Sequence, residues 1–451
     1  MKKLVSFSIL FTVLISAINA QDTQKIIKIE QREQFKNRMN FEKKNFDFET
    51  ALKSADKFTA LNLRGKSLEY LDRRISAFQN LEVLDLSNNS LSSLPEEIST
   101  LKKLRIINLY NNKFSEFPKI LLKLDNIESI DVSKNSIKVV ILDISQNSKL
   151  KKLILSENNI DSINFTKTNN VLEELYLSNC RLNYIPSTIN TLKSLKLISL
   201  NGNNLTTINH SLQNLKSLEK LNLSTNKFSS FPDISNFPNL SFLDLSNNQI
   251  EQVVFQSKIK NSLKSLILVR NNLSNFAPGE SLAQLENLDI SNQNSNILNA
   301  NFEHLTSLIN FSIANNKLGK ITGMEHLTNL KSADFSSIGL TDFPPYIWNY
   351  KNLIKLNLSY NSISSIPNSI EQLSNLETLM LMKNNLQTLS DNLGKLSKIK
   401  WLMLDFNEIT NIPLSILKNT SLKVLSLRNN KIPDSVKEQA LKENPNIKIS
   451  F

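Results

Sequence analysis

Three histidines, one cysteine and a recurring set of serines are the side chains through which this sequence could do chemistry. His304 and His326 sit in parallel contexts, Glu303-His304-Leu305-Thr306 and Glu325-His326-Leu327-Thr328. If these segments stack, two Glu-His pairs come close enough to share a metal. A closed zinc site needs four ligands in fixed geometry, and no further ligand is suggested, so the pairs read as solvated pieces of a repeated segment and no metal is expected. His210 stands apart. Cys180 is the single cysteine. It cannot form an internal disulfide, and no base is placed beside it to generate a thiolate. Ser87, Ser133, Ser156, Ser178, Ser224 and Ser246 recur in one fixed context without His or Asp partners for nucleophilic catalysis. With 7 glycines and neither GxGxxG nor GxxxxGK[ST], the chain also lacks the turns that cradle nucleotide phosphates. No catalytic residue, cofactor or enzymatic activity is expected.

What positions these side chains is a repeat. The frame L-x-x-L-x-L-x-x-N-x-L recurs from residue 58 almost to the end, as in Leu81-Leu84-Leu86-Asn89-Leu91 and Leu353-Leu356-Leu358-Asn361-Ile363. Its ninth position runs from Lys66 and Asn89 to Asn407 and Asn430 through seventeen units, and every step is 22 or 23 residues. Leucines at the fourth and sixth positions fall on one side of a short strand. The chain must then turn and return to start the next strand. One such coil cannot bury its leucines alone, so stacked neighbours supply the core. The ninth-position Asn sits at the turn, where its amide can satisfy backbone groups that the turn leaves free. Cys180 holds the same slot as a weak donor. Ile338 cannot donate at all, and it and Gln293 mark deviant coils between which a change of pitch is expected.

On this frame the sequence resembles the leucine-rich-repeat family, in particular bacterial exported members whose returning segments read L-P-x-x-I-x-x-L, as in Leu94-Pro95-Glu96-Glu97-Ile98-Ser99-Thr100-Leu101. The resemblance covers residues 58–432. It implies an α/β fold: a curved solenoid with a parallel sheet on its concave face and a helical N-terminal cap. Pro before the returning segment favours a helical turn. The segments at 138–150 and 252–263 lack it and read as extended or 3₁₀, so the convex face is expected to be mixed. The family's common work is protein recognition, which implies a non-enzymatic binder of a protein or peptide. The alternative is a structural scaffold or adhesion protein of the cell envelope or extracellular matrix without a single ligand.

Around the repeats, Lys2 and Lys3 precede an apolar run at 4–16 and then Ala17-Ile18-Asn19-Ala20, which reads as a signal peptide cut before Gln21. The run is short for a membrane span of about 20 residues, so no stable membrane insertion is expected after cleavage. The destination is secreted or cell envelope. Export without cysteine-sealed ends points to a bacterial source. Residues 21–57 form a polar leader and a capping helix at 46–55, and residues 433–451 a helix at 435–444 followed by a strand at 447–451. The formal charge of +12 comes from scattered lysines without a block of five like charges, so no nucleic-acid partner is expected.

Positions three, five and seven of each unit point away from the core, with position eight at the sheet edge. Most carry Asn, Asp, Ser or Lys. The units from 360 to 406 differ. They place Tyr360, Met380, Met382, Trp401, Met403 and Phe406 on the open face, and these six are the expected ligand-binding residues. Contiguous exposed apolar surface often marks an interaction site, Met adapts to varied partners and Trp anchors binding hot spots. Lys355, Lys383 and Arg428 add a basic rim. The competing reading is that the C-terminal cap or a returning loop covers the cluster as ordinary core.

Overall fold

The structure is a computed structural model that describes residues 47–255 and 259–451. The signal-peptide and leader readings up to residue 46 lie outside the described residues. The described chain divides into two compact units, 47–248 and Gln249–Phe451.

Each unit is a stack of coils on the frame read from the sequence. Among the described residues, each contributes nine short parallel strands to a sheet, from Ala60–Asn62 to Phe242–Asp244 in the first and from Ser265–Ile267 to Lys448–Ser450 in the second. The pairing places like positions side by side: Leu61 pairs with Leu84, Leu84 with Ile107, and Leu379 with Leu402. Leucines at the fourth and sixth positions are buried, so the core is one leucine column per position. In the second unit aromatic rings continue it, with Phe302 4.9 Å from Phe311 and Phe311 5.9 Å from Phe335.

The turn after each strand has one conformation. Position eight is left-handed in every coil, from Gly65 and Asn88 to Phe406 and Asn429. Gly and Asn tolerate that region, whereas a bulky side chain there is strained. Next to it the ninth-position amides form a ladder. Asn226 Nδ2 donates to the carbonyls of Leu200 and Leu223, both at 3.0 Å, and its Oδ1 accepts the N–H of Leu205 at 3.0 Å. Cys180 fits the slot as expected, its thiol donating to the Leu155 carbonyl at 3.4 Å.

Three coils lack a ninth-position amide: those of Lys66, Cys180 and Ile338. In these coils position ten is also left-handed, at Ser67, Arg181 and Gly339. The next coil's asparagine then accepts two N–H groups instead of one. Asn361 Oδ1 takes those of Ile338 at 3.1 Å and Leu340 at 3.0 Å, and Asn203 Oδ1 those of Cys180 and Leu182, both at 3.0 Å. A missing amide is thus met by a local flip rather than by a break. Between Gln293 and Ile338, where a change of pitch was expected, the strand register is continuous from Asn287 through Asn310 and Ser332 to Lys355. The irregularity is on the return side, where pairing shifts between Leu298 and Ala300.

The returning segments are mixed, as expected, but Pro does not sort them cleanly. Most segments after Pro form 3₁₀ turns, as at Glu96–Thr100 and Asn368–Gln372, while the one after Pro413 is α-helical. Some of those without Pro are extended: Val139–Asp143 pairs with Ser162–Lys167, and Gln252–Val254 starts a four-stranded outer sheet in the second unit. Others without it, as at Arg73–Ala77 and Asp391–Lys395, form 3₁₀ turns like the Pro-led ones. Outer asparagines tie successive coils, with Asn126 donating to the Lys102 carbonyl at 2.7 Å and Asn375 to that of Lys351 at 2.8 Å. Helix α1 (Phe48–Leu52) packs Phe48 5.8 Å from Phe78 at the start of the stack. Helix α2 (Leu414–Leu417) lies on the return side, and α3 (Asp434–Glu443) leads into the last strand.

Candidate functional site on the sheet of the second unit

Consecutive strands at Thr378–Met380 and Trp401–Met403 set Trp401 between Thr378 and Val424, and Met403 between Met380 and Ser426. The register therefore brings Met380, Trp401 and Met403 together as the spacing required. Trp401 is 39% exposed and Phe406 42%. Among the described residues they are the only large exposed apolar side chains on the strands or at their edge; the others, such as Val139, Val254 and Leu441, lie on the return side. Met403 and Tyr360 are half-buried.

Two of the six expected residues do not project. Met380 is 3% exposed and Met382 7%. Their positions explain this. Strands about 4.8 Å apart crowd the fifth and seventh positions, where Asp244 and Ser224 are equally buried. The two methionines form the floor of the patch rather than its contact surface.

Position eight gives the patch its edge. Tyr360, Lys383 and Phe406 follow one another in successive coils, all left-handed, with φ of 60°, 53° and 59°. Their N–H groups continue the strand ladder, to the carbonyls of Met382, Asp405 and Arg428 at 2.8, 2.9 and 2.7 Å. The Lys383 ammonium lies 4.7 Å from the Tyr360 ring centre and 5.5 Å from that of Phe406, a cation between two π faces. Below it, Asp405 Oδ1 accepts from Ser426 Oγ at 2.7 Å and from the Arg428 N–H at 2.9 Å. Lys400 is neutralised by Glu377 at 2.8 Å.

Apolar side chains on the strands are not confined to this patch, contrary to the sequence reading. The first unit has Ile106, Tyr176 and Phe242, all buried. There the polar groups are self-satisfied: Tyr176 donates to Glu174 at 2.8 Å, and Lys152 pairs with Glu174 at 2.9 Å. The row of buried acids also went unread. Asp289 accepts from Ser291 N–H and Oγ at 3.0 and 2.6 Å, and burial outweighs these bonds, pushing its carboxyl up to about 6. Burial likewise raises Asp334. Cys180 is buried, which pushes its thiol up to about 12 and removes its nucleophilicity at neutral pH. His326 reaches Glu325 at 3.7 Å, and among the described residues no group of three or more His, Cys, Asp or Glu could hold a metal. Among them, too, no helix is long and apolar enough to cross a membrane.

Family models described as leucine-rich repeats match residues 79–123, 170–228, 216–258 and 352–373. No curated protein matches the sequence. Among solved structures, a leucine-rich-repeat protein of Leptospira interrogans is 28% identical, with a TM-score of 0.72 over 91% of this chain and 100% of that one. The ectodomain of the Arabidopsis receptor kinase HAESA, solved with a peptide hormone ligand, is 26% identical, with a TM-score of 0.53 over 78% of this chain and 63% of that one. The functional domain of InlJ from Listeria monocytogenes shares the fold at 17% identity and a TM-score of 0.50, over 83% of this chain and 75% of that one. The unbroken repeat register, the parallel sheet with its asparagine ladder and these matches together give the chain a leucine-rich-repeat fold.

Proposed function

We propose that this chain is an exported, non-enzymatic recognition protein that grips a protein or peptide partner on the open sheet face of Gln249–Phe451. Tyr360, Trp401, Met403 and Phe406 make the contact surface, and Met380 and Met382 support it. The observation that carries the reading is the pair of exposed rings at Trp401 and Phe406, on strands where other coils bury or hydrate their side chains. Phe406 and Tyr360 also occupy left-handed positions that favour Asn or Gly. Backbone strain that survives in a fold is a reason to look for function at that place. The HAESA ectodomain, bound to a peptide hormone, gives a precedent for peptide recognition on this fold. The positive N-terminus and short apolar run before Gln21 support export.

Selection of short random peptides on the secreted form (21–451) tests the reading. Wild-type protein is expected to enrich a peptide family that Trp401→Ala no longer retains. Enrichment that is indifferent to Trp401→Ala overturns the site. No enrichment at all favours the scaffold alternative.

A further inference from the structure

From the charges around this patch, and resting on the recognition role just proposed, we infer that its partner is an acidic peptide segment: a side-chain carboxylate beside a large apolar residue.

Two cations flank the Phe406 coil. Lys383 precedes it by one coil at position eight, and Arg428 follows it by one coil at position seven. With strands about 4.8 Å apart, the two sit roughly 10 Å from each other along the sheet. Both are exposed. Among the described residues, neither the Lys383 ammonium nor the Arg428 guanidinium has an ion pair or a hydrogen bond. The nearby charges are already engaged. Glu377 holds Lys400 at 2.8 Å, and Asp405 is buried, with one oxygen taken by Ser426 and the Arg428 backbone.

Lys383 is also held in place. Rings on both sides stabilise its charge without neutralising it and limit where the ammonium can go. Elsewhere on the strands the arrangement is half-built or cancelled. Lys134 lies over the single ring of Tyr110 at 5.6 Å, and Lys152, over Tyr176, is cancelled by Glu174. Among the described residues, only beside Trp401 and Phe406 do two open cations meet exposed apolar rings. An apolar side chain set against Trp401 and Met403 places its neighbour's carboxylate at Lys383 or Arg428, where a charge-assisted hydrogen bond is the strong kind. Lys or Arg in the ligand would be repelled there, which makes the cations a selectivity device as well as an attractive one.

The test uses random peptides displayed with no free C-terminus, selected on residues 21–451 of the wild type, of Trp401→Ala and of Lys383→Met combined with Arg428→Gln. Wild-type selections are expected to carry Asp or Glu within two residues of an aromatic or large aliphatic residue. Amidated synthetic peptides of that consensus should lose about tenfold in affinity when Asp or Glu becomes Asn or Gln, and the loss should vanish against the double variant. Free-acid and amidated forms should bind alike; a requirement for the free acid would assign the carboxylate to a chain terminus and overturn the side-chain form. Selections that need Trp401 but show no acidic preference overturn this inference and leave the recognition role intact. Peptides indifferent to Trp401→Ala overturn both. Cation-dependent retention on heparin, without acidic peptides, also overturns it by assigning the charge to a sulfated polysaccharide. Melting curves accompany each variant, and Arg428→Gln alone serves if the double variant does not fold.

Discussion

The Lys383 ammonium lies 4.7 Å from the centre of the Tyr360 ring, and both residues hold left-handed backbone, at φ of 53° and 60°. Phe406 completes the sandwich from the next coil in the same conformation. At this position Asn88, Asn111, Asn179 and Asn247 show what the backbone prefers. Two large rings there set local stability against the surface role proposed for them.

That conflict can be measured. Tyr360→Asn and Phe406→Asn should each raise the free energy of unfolding by about 1 kcal/mol, the low end of what a strained left-handed residue costs. Each should also weaken binding of selected peptides. Chemical denaturation with a peptide titration checks both. A loss of stability would mean that the rings pack rather than strain.

Asn226→Ala should destabilise by about 1–3 kcal/mol, because the carbonyls of Leu200 and Leu223 and the N–H of Leu205 lose their partner in a buried turn. Binding at the second unit should be unchanged. An unaltered melting temperature would show that the ladder contributes nothing to stability.

The repeat frame and the terminal helices were legible because they follow from spacing. Leucine alternation fixes the strand faces, and a constant step fixes the stack. The left-handed eighth position was partly written in the sequence, as a column in which nine of seventeen residues are Asn or Gly, but it shows only when that column is read against backbone conformation. The same holds for the second position, where Arg105 reaches Glu82 at 3.2 Å and Glu128 at 2.8 Å across neighbouring coils. The burial of Met380 and Met382 was not legible. It depends on how side chains on adjacent strands close over one another, and residue type alone gives no measure of that. Tyr176 and Phe242 fit the same outward pattern as Trp401, and what separates them is burial, at 4% and 8% exposure against 39%.

Stability should depend on pH through the buried acids. The folded state raises Asp289 from 3.8 to about 6, so it holds a proton more tightly than the unfolded chain does. The contribution favouring the fold is therefore complete below about 3.8 and is lost as pH rises through 6. Asn performs the same backbone bond elsewhere: Asn222 and Asn357 accept the N–H of Ser224 at 2.9 Å and of Ser359 at 3.0 Å. Asp289→Asn should accordingly stabilise the protein at pH 7.5 by on the order of 1–3 kcal/mol and flatten the stability curve between pH 4 and 6. Unfolding titrations across that range decide it, and a variant less stable at pH 7.5 would refute the assignment.

Cys180→Asn should raise the melting temperature. The thiol reaches Leu155 at 3.4 Å, whereas the ladder asparagines donate to two carbonyls at about 3.0 Å. Thiol alkylation of the wild type should proceed only on unfolding, since burial holds the group un-ionised. Rapid labelling of the folded protein would show that the slot is open.

The most direct test of the sheet-face site is the affinity of one selected peptide for the wild type and for Trp401→Ala combined with Met403→Ser, each measured by calorimetry beside its melting curve. Removing a hot-spot Trp costs about 2 kcal/mol or more, so affinity should fall roughly thirtyfold or further while melting stays where it was. Equal affinities for the two proteins would place the partner elsewhere and contradict the site.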